Sequence, residues 1–526
     1  MKPRFPPIRR LSTSSSPSTS SIPASLPVPH RTIPPPRGQD LDFITVFHSH
    51  LINSCWPQLL PLAPSLTPFR LLHLFLLLRP DPTLSLSFYN WAHLHHPSSI
   101  SLPALSVLLH TLSQSRRLKS AHSLLSSSLF PTSAISCFDL FHSLLHTYRV
   151  CCSTPQVFDL LFSAYARQKK FRAATDVFLS MKDYGFLPNI RSCNAFLSSL
   201  LSMGRTDIVL SFYKEMRQAR ISANVYTLNM VMTAYCNLGK LEKAMDLFGK
   251  METLGFSPTV ISFNILIDAH CKNGQLSAAA RLLKSMKGKG LDPNVVTYNT
   301  LINGFCSEGR LHEANKILNE MNVSMVTPST VTYNILISGY CKANNSEMAF
   351  RLFEEMVEKG VEVDIVTYNS LILGFCNEGK TKKAASLVKE LDAGNLKPNG
   401  STYAALVIGQ CQRKNSERAY QIFKAMKKNG FEPRVEISEI LISTFCKNGD
   451  YEGAVEVLKE MLERCFAPSN ALLDELFEGI YDARKTHLVD KLRSEISNVR
   501  LIPETYFHKD YRKADQGNRC KGQIIS

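Results

Sequence analysis

Apolar residues recur along the middle of the chain with the spacing of short amphipathic helices. One set occupies positions i, i+3, i+4, i+7 and i+8, and consists of Tyr298, Leu301, Ile302, Phe305 and Cys306. This spacing places the set on one face of a helix, and Gly309 marks the end of that helix. A second apolar stripe between Leu311 and Met321 predicts a second helix, which ends before Pro328. The segment therefore predicts a helical hairpin.

The hairpin pattern repeats every 35 residues without insertion or deletion over residues 155–469. The nine frames begin at Pro155, Ile190, Val225, Val260, Val295, Thr330, Ile365, Gly400 and Val435. Cysteine keeps this period at Cys236, Cys271, Cys306, Cys341, Cys376, Cys411 and Cys446. Methionine keeps it at Met181, Met216, Met251, Met286, Met321, Met356, Met426 and Met461, with Leu391 in the one remaining place. A single hairpin cannot bury both stripes, so neighbours stack. We predict an all-α, right-handed α-solenoid of stacked helical hairpins.

The cysteine column favours core packing over cysteine chemistry. Zinc sites use ligand pairs two to four residues apart, and the periodic cysteines are 35 residues apart. Equivalent positions of stacked helices lie roughly 8–10 Å apart, which exceeds the ~7 Å limit for a disulfide. We expect small, buried, reduced side chains and a thiol-reducing compartment. No metal or other cofactor is predicted.

Charge is concentrated outside the repeats. The net charge is +16, but residues 151–479 hold 38 Lys and Arg against 34 Asp and Glu, which leaves +4. Residues 1–39 carry six basic residues, no acidic residue and many Ser, Thr and Pro, a composition typical of an organellar transit peptide. Its early arginines favour a mitochondrion over a plastid; a disordered basic tail is the alternative. No apolar run is long enough to span a membrane.

Asparagine occupies the fifth place of six consecutive frames. These fifth-position asparagines are Asn194, Asn229, Asn264, Asn299, Asn334 and Asn369. Asparagine near a helix start can cap free backbone amides. An amide can also donate and accept hydrogen bonds at once, so a row of asparagines along a groove can contact the edges of successive bases.

The segment VVTYNTLINGFCSEGRLHEANKILNEMNVSMVTPS, residues 295–329, resembles the pentatricopeptide repeat, and the resemblance covers all nine frames. The chain is similar to P-type members of this organelle-targeted plant family, which bind single-stranded RNA at one base per repeat. The related tetratricopeptide repeat has a period of 34 and a different pattern. The resemblance implies an RNA-binding protein of organellar RNA metabolism.

The resemblance also implies which residues contact RNA. In the family, the fifth and last residues of a repeat jointly contact one base. The implied pairs are Asn194 with Asn224, Asn229 with Thr259, Asn264 with Asn294, Asn299 with Ser329, Asn334 with Asp364, and Asn369 with Asn399. Asparagine in the first role favours pyrimidines, an Asp companion selects uracil, and Asn or Ser companions favour cytosine with tolerance for uracil. The implied target, from 5′ to 3′, is Y-Y-Y-C-U-Y.

The second residue of each repeat packs against base faces in the family. Here those flanking residues are Tyr226, Ile261, Val296, Val331 and Val366, whereas Arg191, Ser401 and Glu436 depart from the apolar pattern. The outer pairs Asp159 with Asn189, Ala404 with Arg434, and Glu439 with Ser469 match no familiar combination. Basic residues near the end of the first helix are either phosphate contacts or a solvated helix end. These are Arg167, Lys272, Lys342 and Lys447.

The remaining segments predict helical caps. Residues 40–154 are interpreted as an N-terminal helical cap with degenerate repeats, and residues 470–526 as a C-terminal helical cap with a polar tail. No catalytic constellation is recognisable, since the deaminase signature of editing enzymes is missing from the C-terminal stretch. The leading hypothesis is a non-enzymatic RNA-binding protein acting in transcript stabilisation or end processing, splicing or translation. The alternatives are a protein-binding scaffold, and a recruiter of a separate nuclease or editing enzyme.

Overall fold

The computed structural model describes residues 27–29, 32–126, 136–393, 396–496 and 502. Within these ranges every regular element is a helix and none is a strand, so the predicted all-α fold class is confirmed. The chain divides into two compact units, Met1–Pro258 and Thr259–Ser526. Most of the predicted transit peptide lies outside the described residues.

In the part of the first unit that the structure describes, seven α-helices precede the regular repeats. They are α1 (Gln39–Ile52), α2 (Trp56–Leu59), α3 (Pro68–Leu77), α4 (Pro82–His95), α5 (Leu102–Gln114), α6 (Leu118–Leu124) and α7 (Cys137–Tyr148), with short 3₁₀ turns at Ala63–Ser65 and Pro97–Ser99. Helices α5 and α6 form a hairpin in the segment interpreted as a degenerate repeat. The domain boundaries at residues 39, 154 and 469 stay predictions.

Three regular hairpins complete the first unit. Their helices are α8 (Gln156–Arg167), α9 (Phe171–Asp183), α10 (Ile190–Ser202), α11 (Thr206–Gln218), α12 (Val225–Asn237) and α13 (Leu241–Met251). The first helix of each hairpin packs against its own second helix and against the first helix of the following hairpin in the unit. This is the stacking of an α-solenoid.

The described residues of the second unit form six further hairpins and two helices that follow them. They are α14 (Val260–Lys272), α15 (Leu276–Gly288), α16 (Val295–Ser307), α17 (Leu311–Val323), α18 (Thr330–Lys342), α19 (Ser346–Glu358), α20 (Ile365–Asn377), α21 (Thr381–Ala393), α22 (Gly400–Gln412), α23 (Ser416–Lys428), α24 (Val435–Lys447), α25 (Tyr451–Glu463), α26 (Asn470–Asp482) and α27 (His487–Ile496). The even-numbered helices from α14 to α26 pack in sequence, so they form one continuous layer.

A residue with a left-handed backbone conformation terminates the first helix of each hairpin. In the hairpin at Val295 this residue is Gly309, with φ of 71°, as the sequence predicts. Glycine adopts this conformation without steric cost. Asn344 and Lys414 stand at the equivalent place with φ of 54° and 57°, so the chain follows the same turn even where a side chain makes it costlier.

The periodic methionines and cysteines lie in the core. Met181, Met321 and Met356 are completely buried, and Leu391 takes the same place in its own hairpin. Six of the seven periodic cysteines are buried and Cys236 is partly buried. Burial raises the pKa of the Cys271 thiol to about 12, so these residues are neutral packing groups at physiological pH.

Glycine provides the space that the cysteines occupy. A Cβ atom added at Gly339 would lie 2.8 Å from both Cβ and Sγ of Cys306 in the preceding hairpin. Gly304 makes the same close approach to Cys271. Four of the periodic cysteines thus mark close contacts between consecutive first helices; they are Cys271, Cys306, Cys341 and Cys376.

Candidate nucleic-acid interface

The fifth-position asparagines lie on the first helices of their hairpins. Each is the fifth residue of its helix, in α10, α12, α14, α16, α18 and α20. Asn194 and Asn229 are buried, and the other four are partly buried. This burial fixes their side chains more closely than an exposed helix surface would.

The companion residues are the N-caps of the helices that follow. All six form a capping box, in which the companion side chain accepts a hydrogen bond from the backbone of the third helical residue and that residue's hydroxyl contacts the companion's backbone amide. Capping therefore belongs to the companions: Asn224, Thr259, Asn294, Ser329, Asp364 and Asn399. The alternative that the asparagine column itself supplies the caps is wrong.

Three predicted pairs are in direct contact. The Nδ2 atom of the asparagine donates to the companion's Oδ1 over 3.2 Å in Asn194 with Asn224, 3.0 Å in Asn334 with Asp364, and 3.1 Å in Asn369 with Asn399. Asn229 belongs to the first unit and Thr259 to the second.

In five of the six pairs a buried threonine hydroxyl contacts the asparagine, and sequence reasoning missed it. The third residue of the following hairpin donates to the asparagine Oδ1 over 2.6 to 2.7 Å. These residues are Thr227, Thr297, Thr332, Thr367 and Thr402, and none is more than 1% exposed. In the pairs at Asn264 and Asn299, this hydroxyl links the asparagine to its companion. The signal was present in the sequence as a column of Thr and Ser two residues before each asparagine.

The asparagines keep hydrogen-bonding capacity after these contacts. A side-chain amide has two N–H donors and two acceptor lone pairs. In Asn334, one donor is used by Asp364 and one lone pair by Thr367. One N–H and one lone pair remain for a ligand, which is enough to contact one base edge in two ways.

Asp364 carries the one formal charge among the six companions. Burial acts to raise the pKa of its carboxyl, but hydrogen bonds from the Thr367 amide, the Asn334 amide and the Thr367 hydroxyl together outweigh burial, so the pKa is lowered. Asp364 is therefore an anion, and a hydrogen-bond acceptor without a donor, throughout the physiological pH range.

Exposed apolar side chains flank the asparagine column. The predicted flanking residues Tyr226, Ile261, Val296, Val331 and Val366 are 52 to 58% exposed. Each stands three residues before the asparagine of its own helix, and residues at i and i+3 share a helix face. The asparagine amides and these apolar side chains thus lie side by side.

One open pocket brings the predicted groups together in the second unit. Its lining includes Val366, Asn369 and Asn399. It also includes Arg434 and Glu436, at the start of α24. A flanking side chain, a fifth-position asparagine and its companion therefore surround a single cavity. Arg434 adds a cation at the edge of this cavity.

Two of the three outer pairs are also in contact, but through a carboxylate at the fifth position. Asp159 accepts hydrogen bonds from the backbone and side-chain amides of Asn189 at 2.8 and 2.9 Å. Glu439 accepts one from the Ser469 backbone at 2.8 Å. In these pairs a carboxylate replaces the asparagine, which places negative charge where the inner pairs present a neutral amide.

The predicted phosphate contacts lie at exposed ends of first helices. Arg167, Lys272, Lys342 and Lys447 are all exposed. Lys272 forms a 2.7 Å ion pair with Asp268 one turn earlier in α14. Because both partners are exposed, this pair contributes little to stability.

Comparison with known proteins identifies the family of the repeats. A model described as PPR repeat family matches residues 188–237, 223–271, 258–307, 293–342, 328–377 and 363–412. Models described as PPR repeat and Pentatricopeptide repeat domain match residues 401–431 and 440–466, and residues 157–203. Together these segments cover more than half of the chain.

Curated relatives and solved structures agree with the family models. A mitochondrial pentatricopeptide repeat-containing protein of Arabidopsis thaliana is 51% identical over 199 residues, which are 38% of each chain. A second mitochondrial Arabidopsis thaliana member is 31% identical over 142 residues, 26% of this chain and 22% of that one. The chain thus spans about two fifths or less of the length of these relatives.

The fold is also similar to that of maize PPR10, solved in complex with an 18-nucleotide psaJ RNA element. The TM-score is 0.50 at 19% identity, over 92% of this chain and 79% of PPR10. This likeness concerns the fold. With the repeat models matched along residues 157–431 and 440–466, the chain belongs to the pentatricopeptide repeat family.

Proposed function

We propose that the chain binds single-stranded RNA, with one base at each hairpin, and prefers the tract Y-Y-Y-C-U-Y. The observation that carries the proposal is the column of buried and partly buried asparagine side chains beside exposed apolar side chains. Amides supply hydrogen bonds to base edges, and apolar side chains supply contact with base faces. The RNA bound to PPR10, whose fold this chain shares, supports the same ligand class.

The chemistry of the companions supports a distinction between uracil and cytosine. Uracil presents an N3–H donor on its Watson–Crick edge, whereas cytosine presents an N3 acceptor there. The anionic Asp364 can accept from uracil but has nothing to donate to cytosine. In Asn399, every described hydrogen bond to the side chain uses Oδ1, so its Nδ2 can donate to cytosine N3. Asn334 with Asp364 therefore selects uracil at the fifth position of the tract.

Sequence-independent affinity comes from contacts to phosphate. Lys272 and Lys342 stand at equivalent positions two hairpins apart, and Lys447 lies three hairpins further on; all three are exposed, at the ends of α14, α18 and α24. Lysine at such positions neutralises phosphates and releases counterions, so RNA affinity falls as salt rises.

We place the protein in organellar, preferentially mitochondrial, RNA metabolism. The transit-peptide composition of residues 1–39 and the mitochondrial names of two Arabidopsis thaliana relatives support this location. A bound solenoid acts without catalysis, by shielding a transcript end or by holding a segment open for splicing or translation. Of the residues that the structure describes, no group of three or more His, Cys, Asp or Glu is arranged to hold a metal ion.

The binding experiment presents randomised short RNAs to the purified protein and sequences the retained pool. Enrichment of Y-Y-Y-C-U-Y is expected. Asn334→Thr is expected to shift the fifth base toward guanine, following the pairing habits of the family. A pool without positional enrichment, or a retained peptide ligand in place of RNA, would favour the protein-binding scaffold.

A further inference from the structure

We propose that a buried threonine hydroxyl at the third position of a hairpin orients the asparagine of the preceding hairpin, so that the contact site for one base is built from two hairpins. Thr332 would thus orient the side chain of Asn299, and Thr297 that of Asn264. They are positioning residues, because they act on the base through the asparagine. The inference deepens the proposed RNA-binding function and rests on it.

The sequence shows that hydroxyl and asparagine occur together across hairpin boundaries. The six fifth-position asparagines are followed, 33 residues later, by Thr227, Ser262, Thr297, Thr332, Thr367 and Thr402. Where the fifth position is Asp159, a carboxylate that can also accept a hydrogen bond, the residue 33 positions later is Ser192. Where it is Ala404 or Glu439, that residue is Ile437 or Leu472. If the hydroxyl served only to cap its own helix, its presence would not depend on which residue occupies the fifth position of the preceding hairpin.

The hydrogen-bond geometry explains this correspondence. The Thr332 hydroxyl donates to Asn299 Oδ1 over 2.7 Å, while its oxygen accepts from the Ser329 backbone amide at 3.0 Å. Because Ser329 supplies an N–H to the hydroxyl oxygen, the hydroxyl proton is directed toward Asn299. An amide has one oxygen, so this contact determines which end of the Asn299 side chain faces the protein and leaves Nδ2 to face a base.

The number of groups that orient the asparagine differs from one pair of consecutive hairpins to the next. Asn334 is oriented twice, by the Thr367 hydroxyl and by its own bond to the Asp364 carboxylate. For Asn299, the described side-chain contact is the Thr332 hydroxyl, and its companion Ser329 is reached through Thr332. Removing the hydroxyl should therefore matter more at Asn299 than at Asn334.

The test measures base preference at single positions of Y-Y-Y-C-U-Y for full-length variants. Thr332→Val keeps the size of the side chain and removes the hydroxyl. We expect pyrimidine preference at the fourth base, contacted by Asn299, to fall by about three- to tenfold, the worth of one hydrogen bond. The fifth base, contacted by Asn334 of Thr332's own hairpin, should keep its preference. Thr367→Val should change the fifth base less than Thr332→Val changes the fourth.

Controls separate orientation from folding. Thr332→Ser restores the hydroxyl and should restore preference at the fourth base. Thr300→Val removes an exposed hydroxyl that bonds within its own helix, to the Val296 carbonyl, and should leave every position unchanged. If circular dichroism shows that Thr332→Val folds poorly, Thr297→Val is a second variant for the same test. It is expected to reduce pyrimidine preference at the third base.

The outcomes distinguish the two proposals. If the wild type shows positional preference but Thr332→Val and Thr297→Val leave the fourth and third bases unchanged, the orienting role is refuted and RNA binding stands. A change at the fifth base in Thr332→Val would also refute it, because the hydroxyl would then serve its own hairpin. A wild type without positional preference would overturn the proposed function itself.

Discussion

Cys306 and Gly339 are matched in size across two consecutive hairpins: the thiol of the first fills the space left by the missing side chain of the second. The same match recurs between Cys271 and Gly304. The contact gives a packing reason for a small, unbranched residue at these positions of the repeat.

Gly339→Ala is expected to destabilise the protein. The added methyl group would stand 2.8 Å from Cys306, well inside van der Waals contact. Overpacking of this kind costs about 1–3 kcal/mol, which exceeds the ~1 kcal/mol gained from the better helix propensity of alanine. Thermal denaturation followed by circular dichroism should show a lower midpoint.

Gly249→Ala is the matched control for Gly339→Ala. Gly249 also lies within a helix, but a Cβ atom there would meet nothing within 4 Å. The same substitution should therefore stabilise by up to about 1 kcal/mol. Equal effects at the two glycines would contradict the packing explanation.

Exchanging companions should exchange base preference. Asp364→Asn supplies a donor where the wild type has an acceptor, so preference for uracil over cytosine at the fifth base should fall by about tenfold. Asn399→Asp should raise uracil preference at the sixth base, contacted by Asn369. Both changes keep a good N-cap, so folding should be nearly unaffected. Competition binding with single-base variants of the RNA measures both effects, and parallel shifts in the two variants would argue against companion chemistry.

His110 should make the first unit sensitive to acid. It is completely buried, and its Nε2 lies 3.0 Å from the Leu144 carbonyl. Burial lowers the pKa of His110 from 6.5 to about 4. As the pH falls, His110 therefore becomes protonated in the unfolded chain before it does so in the folded protein. The free energy of unfolding decreases as the pH falls from about 6.5 to 4, by about 3 kcal/mol for the full shift. Chemical denaturation across this range should show the loss.

His110→Gln should flatten the pH dependence between about 6.5 and 4, because glutamine has no proton to gain there. The variant will be less stable at neutral pH, so the slope with pH is the measurement and the absolute stability is not. His312→Gln, at an exposed position, is the control and should leave the slope unchanged. A slope unaltered in His110→Gln would assign the acid sensitivity to other groups.

Val331→Asp should weaken RNA binding without unfolding the protein. Val331 is 57% exposed beside Asn334, so a carboxylate there replaces an apolar contact with a base and repels phosphate. We expect a loss of about 1–3 kcal/mol in binding free energy, measured by fluorescence anisotropy. Val323→Asp, at a position 84% exposed at the end of α17, is the control. Equal losses in both variants would point to a general effect of negative charge.

Much of the fold could be predicted from the sequence because its determinants are local. Gly309 ends a helix through its own backbone conformation, and the apolar stripe from Tyr298 to Cys306 specifies a face without reference to distant residues. Periodicity then extended one hairpin to nine.

The contacts between hairpins were beyond sequence reasoning. Thr332 and Asn299 are 33 residues apart, and the column of Thr and Ser at the third position does not by itself indicate which asparagine each hydroxyl contacts. Gly339 was unremarkable in sequence because glycine in a helix usually signals nothing about a neighbour, whereas here it receives Cys306. The alternative in which the asparagine column caps helices was wrong for a different reason: whether a residue such as Ser329 caps a helix depends on where that helix begins.

Asp364 is both the last residue of one 35-residue frame and the N-cap of the next helix, so the boundary between frames passes through a bonded cluster. A tandem duplication of 35 residues adds one complete cluster of this kind. This holds wherever the duplication begins, because each new junction joins residues that were already neighbours in the repeat period. Such a gene rearrangement lengthens the protein without creating a foreign contact. Arrays of this kind can therefore grow or shrink by whole periods during evolution, while an insertion of any other length disrupts two neighbours at once.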